Sequence, residues 1–124
     1  MAGTWYPDNP DELRAEVEVC LAAAERHSVP GRLVALVCPH AGLRYSGPVA
    51  GRGYALLRGR QHLTAVLVGP SHRLAFEGVS VVPSGGFETP LGDVPIDEDL
   101  ARDLIRRGTV VTELPRPHRD EHSL

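Results

Sequence analysis

Apolar positions follow two different patterns along this chain. Leu13, Val17, Leu21 and Ala24 recur at spacings of three to four, the repeat of one helix face. Asn9, Pro10 and Glu12 stand at the head of that stripe. Asn9 suits an N-cap and Pro10 the first turn, where a missing N–H costs nothing. Glu12 suits the third position, from which a carboxylate closes a capping box. The helix is expected to end near His27 and Ser28, ahead of Pro30 and Gly31, with His27 complementing the helix dipole. Residues 1–8 read as an extended arm that turns at Pro7 and Asp8.

The other pattern has no alternation. Residues 33–38 and 64–69 are nearly unbroken apolar runs. Such runs suit strands covered on both faces, as in a parallel sheet. Between them, Ser46-Gly47-Pro48 reads as a helix start, with the helix running through Tyr54 to about Arg58. Gly51 and Gly53 weaken that helix intrinsically, so tertiary contacts are expected to hold it. Strand, helix and strand in this order predict a right-handed βαβ unit. Further on, residues 79–82 predict a short strand, and residues 85–96 a hairpin turning at Leu91-Gly92-Asp93. The prolines of the hairpin suit edge strands. Asp97 caps a third helix through Arg107, with Leu100, Leu104 and Ile105 on its apolar side and Gly108 at its end. Residues 109–112 form another short strand, and residues 113–124 are polar with two prolines. No repeat or linker divides the chain. The predicted fold class is α/β: a mostly parallel sheet with flanking helices plus an edge hairpin, in one domain over residues 1–124.

Composition narrows the function classes. A net charge of -3 gives no basic field to attract nucleic acid or an anionic membrane, so neither is an expected partner. The basic side chains are all Arg, which reads as the codon bias of a GC-rich genome. No stretch approaches the ~20 apolar residues of a membrane span, and the N-terminus has no signal-peptide pattern. A cytoplasmic location is expected. Cys20 and Cys38 are too far apart for a zinc knuckle and read as buried thiols.

Chemistry concentrates where the apolar runs end. His40 lies two residues past the first run and His72 three past the second. Parallel strands of one βαβ unit end at the same sheet edge, where open α/β sheets bind ligands. Neighbouring strands are ~4.8 Å apart, so the two imidazoles are expected to converge. Pro39 and Pro70 restrict where each histidine points, and Gly42 lets the chain turn away. Convergent imidazoles suit iron, zinc or copper. Catalysis needs a third ligand, for which Cys38, Glu121 and His122 are candidates. The plainer alternative is two loop histidines that hydrogen-bond backbone. Ser46-Gly47-Pro48 could receive an anion at a helix N-terminus. Ser71-His72 lacks the GxSxG elbow of a hydrolase. Trp5 and Tyr6 read as an arm packed on the core, or else as an aromatic wall beside the pocket.

Five motifs then occur in order: AGTWYP at 2–7, PHAGLRYSG at 39–47, GPSHR at 69–73, FETPLGDVPID at 87–97 and DEHSL at 120–124. With them the chain resembles the Memo family, also named AmmeMemoRadiSam system protein B. The resemblance covers the whole chain but only about the first half of the family domain. It implies a fold like that of class III extradiol dioxygenases, which use non-haem iron. His40 and His72 match the family's two N-terminal pocket histidines and are the implied metal ligands and catalytic residues. Trp5 is implied at the pocket rim. His122, in the EHSL-type motif, is a further catalytic candidate. Tyr45 and Ser71 join Trp5 as expected substrate contacts. The family pocket is completed by a histidine and a cysteine from its C-terminal half, and Cys38 is not that cysteine. The expected cofactor is a divalent metal, iron first, with copper or zinc as alternatives. The expected function is that of a metal-binding, redox-active protein related to dioxygenases, acting on a small molecule or peptide. Whether it is an enzyme stays open. One alternative is a non-catalytic module that binds a peptide or anionic ligand in the same pocket. Another is an inactive fragment, with the missing half or a partner chain needed to complete the fold.

Overall fold

The computed structural model describes residues 1–23, 29–61 and 63–123. Ala24, the expected helix end at His27 and Ser28, and Leu124 of the last motif lie outside the described residues. The chain gathers into two compact units, Met1–Leu63 and Thr64–Leu124.

In the first unit, helix α1 (Pro10–Ala22) begins where its capping residues predict. The Asn9 side-chain oxygen accepts from the Asp11 and Glu12 N–H groups at 2.9 and 3.1 Å. Its apolar stripe buries Leu13, and Cys20 is buried on the same helix. Helix α2 (Leu43–Tyr54) runs on into a 3-10 turn, Ala55–Leu57. This corrects the expected start at Ser46. Gly42 is the N-cap, Ser46 donates its hydroxyl to Ala41 O at 2.7 Å, and Pro48 lies inside the helix. The proposed anion position at Ser46-Gly47 therefore has no helix N-terminus. The two helices pack through glycines. A Cβ on Gly47 would lie 2.9 Å from the Cys20 sulfur, and one on Gly51 2.4 Å from Cys20 O. The same residue type that lowers helix propensity lets these backbones approach.

The second unit holds strand β1 (Val79–Val81), the hairpin strands β2 (Gly86–Thr89) and β3 (Gly92–Pro95), helix α3 (Glu98–Arg107) and strand β4 (Val111–Glu113). β1 and β4 pair in parallel, with Val79 opposite Val111 and Val81 opposite Glu113. Gly78 (φ +87) precedes this pair, and a Cβ there would lie 2.4 Å from Val110 O. The hairpin pairs Thr89 with Gly92, so its two connecting residues are Pro90 and Leu91, one position earlier than expected. Asp97 caps α3 as predicted, accepting from the Leu100 N–H at 3.0 Å.

The largest correction concerns residues 33–38 and 64–69. Among the described residues both runs lie outside any strand. Val34, Val37 and Val68 are 81, 101 and 87% exposed. The parallel pair forms between β1 and β4 instead. An apolar run expresses a demand for burial, but a ladder needs a partner from elsewhere in the chain. The architecture is thus α/β, with a small parallel sheet, an antiparallel hairpin and helices.

Candidate functional site

A polar cluster of the second unit is built on β1 and β4. Past β4, the Leu114 N–H donates to Val81 O at 3.3 Å, and the Ser80 hydroxyl donates to Leu114 O at 2.5 Å. A 3-10 turn, Arg116–His118, follows with Pro117 buried. Asp120 then adopts a left-handed backbone, φ 59, which Asp tolerates better than most residues. This bend turns the chain toward the loop after residues 64–69. Arg73 Nε donates to Asp120 O at 3.1 Å, and the Ser123 hydroxyl donates to Pro70 O at 2.7 Å. Within the loop, Ser71 Oγ donates to Leu74 O at 2.7 Å and accepts from the Leu74 N–H at 3.3 Å. That local turn presents His72.

Glu121 sits at the centre. Its Oε2 accepts from the His72 backbone N–H at 2.7 Å. Its Oε1 lies 2.8 Å from His72 Nδ1 and accepts from the backbone N–H groups of His122 (2.8 Å) and Ser123 (3.1 Å). The Glu121 side chain is only 6% exposed. Burial by itself raises a carboxyl pKa. Here the hydrogen bonds from the His72 backbone and ring, His122 and Ser123 outweigh it and hold Glu121 well below the usual carboxylate range. The His72 and His122 rings stack with centroids 4.4 Å apart and planes 27° from parallel. One ligand-type atom from each of His72, Glu121 and His122 falls within 4.8 Å of the others. Two imidazoles and a carboxylate are a donor set for a divalent transition metal.

The other sequence-predicted residues belong to the first unit. His40 is exposed in the loop ahead of α2. That loop is fastened to the N-terminal arm: the Leu43 N–H donates to Trp5 O at 2.9 Å. A Cβ on Gly42 would lie 3.3 Å from Trp5 O and 3.5 Å from its ring, so Gly42 serves close approach to half-buried Trp5. Its backbone, φ -48, needs no glycine. Tyr45 is exposed in the first turn of α2. The Cys38 thiol faces α2, 4.0 Å from Ala50 O, and so is turned toward packing. The structure thus groups His72 with His122 and Glu121, and Trp5 with the loop that carries His40. Sequence reasoning named Glu121 only as a candidate ligand. Its role as a hub rests on a partner 49 positions away, which no local pattern signals.

Among the described residues no helix is long and apolar enough to cross a membrane. The family described as Memo-like protein matches residues 1–124. A MEMO1 family protein of Methanopyrus kandleri is 36% identical over 132 aligned residues, covering 100% of this chain and 47% of the relative. That of Methanocaldococcus jannaschii is 37% identical, covering 100% and 46%, and that of Thermotoga neapolitana 35%, covering 100% and 48%. The chain spans about half the length of these curated relatives. Its residues, matched from first to last, place it in the Memo-like protein family.

Proposed function

We propose that this chain supplies the histidine ligands of a divalent-metal site in a redox-active Memo-family protein related to non-haem iron dioxygenases. His40 and His72 are the ligands, and His122 is the neighbouring acid or base. The observation that carries this reading is the stacked His72–His122 pair beside Glu121. Stacked rings direct their lone pairs along roughly parallel planes. That arrangement suits one imidazole on the metal and the other beside it, moving a proton. His122 Nδ1 lies on the Glu121 side, 3.9 Å from Oε1, so proton exchange with substrate falls to Nε2. His40 joins the site on its matching motif. With the Cys38 thiol facing α2, the nitrogen donors fit iron first, then copper or zinc. Bound iron would supply Lewis acidity and oxygen chemistry. The chain's residues would hold the metal, orient the ligands and carry protons. Trp5, Tyr45 and Ser71 are the proposed substrate contacts, for a small molecule or peptide.

Anaerobic equilibrium dialysis against iron(II) tests this. Wild type should take up one equivalent, and His40→Ala and His72→Ala should each lose stoichiometric binding. Uptake that is equal in all three would contradict it. Binding of an anionic peptide that survives metal removal, with no metal uptake, would favour a non-catalytic module.

A further inference from the structure

We infer that Glu121 is the positioning residue of this site: it holds His72 with its ring proton on Nδ1, so that Nε2 is the atom His72 offers to a metal. The inference rests on the proposed metal role of His72. Its physical basis is the hydrogen-bonding capacity of a carboxylate, which accepts through about four lone-pair sites and donates nothing when ionised. Glu121 has four such interactions: His72 N–H on Oε2, and His72 Nδ1, His122 N–H and Ser123 N–H on Oε1. Coordination by Glu121 would compete for the acceptor oxygens that three backbone N–H groups use. Both of its oxygens are engaged in holding the backbone and the ring of His72, the work of a support.

The contact with His72 also fixes a tautomer. An ionised carboxylate 2.8 Å from Nδ1 requires a proton on Nδ1. A neutral imidazole with that proton carries its lone pair on Nε2. Ligating histidines are commonly oriented in this way by a carboxylate on their other nitrogen. Two further features make Glu121 a fixed support. It holds the main chain and the ring of His72 together. The Arg73–Asp120 and Ser123–Pro70 bonds clamp the flanking segments on both sides, so ring and carboxylate are held in one piece of structure.

Long-range proton–nitrogen NMR of the metal-free chain, labelled at histidine and held at pH 8, reads the tautomer directly. The expected result is a His72 proton on Nδ1 in wild type and a shift toward Nε2–H in Glu121→Ala. A wild-type His72 with its proton on Nε2 overturns the inference, and this readout stands even if the variant does not fold. In metal titrations, Glu121→Ala and Glu121→Gln should keep a stoichiometry of one but weaken the dissociation constant roughly 10–100-fold. Gln offers one acceptor edge and one donor edge, so it cannot receive both His72 groups. Unchanged dissociation constants in both variants would overturn the inference. If wild type takes up no metal, the proposed function fails, while the tautomer measurement alone decides the role of Glu121.

Discussion

The Glu121 carboxylate takes hydrogen bonds from the two residues that follow it and from the backbone and ring of His72. Its pKa is lowered from an ordinary 4.5, so the unfolded chain binds that proton more readily than the folded one. The stabilisation is complete above the unfolded value, near 4.5, and declines as pH falls from there toward the depressed folded value. Urea unfolding at a series of pH values should show wild type losing stability below about that point, and Glu121→Gln losing less over the same interval. Parallel pH profiles for the two proteins would contradict the assignment. Only part of this was legible in the sequence. An acidic residue beside a histidine in DEHSL marks candidate chemistry. The left-handed turn at Asp120 and the reach back to His72 arise from tertiary structure.

Helix boundaries separate local from non-local information. Asn9 and Asp97 cap their helices as read, because a side-chain oxygen meets an N–H two or three positions on. Asn9→Ala should cost about 1 kcal/mol, measured by chemical unfolding. The start of α2 differs from the expected one: Ser46 lies inside the helix, where its hydroxyl bonds backward to Ala41 O, and Pro48 follows it there. The glycines of α2 looked like weaknesses and instead form a packing surface. Gly51→Ala would press a methyl group into Cys20 O and should destabilise by ~1–3 kcal/mol. A neutral or stabilising result would show that the approach of α1 to α2 is looser than described. Residues 33–38 and 64–69 failed as strand predictions for the opposite reason: their composition announces burial without naming the partner that provides it.

At the scale of the molecule, Val34, Val37 and Val68 stand exposed in apolar segments outside any strand. Unpaired apolar segments are templates for association. The chain alone should therefore self-associate, its elution volume falling as concentration rises, and Val37→Lys with Val68→Lys should reduce the effect. A clean monomer with a cooperative melt would contradict this. The family was legible from five short motifs, and the α/β class holds through the capped helices and the short strands expected at residues 79–82 and 109–112. Which runs would pair was not legible, because pairing depends on distant chain. The account centres on imidazole ligation by His40 and His72. X-ray absorption at the iron edge of the chain loaded with one equivalent reads it most directly. The prediction is two imidazole rings on the bound iron of the wild-type chain; a bound iron without imidazole scattering would contradict it.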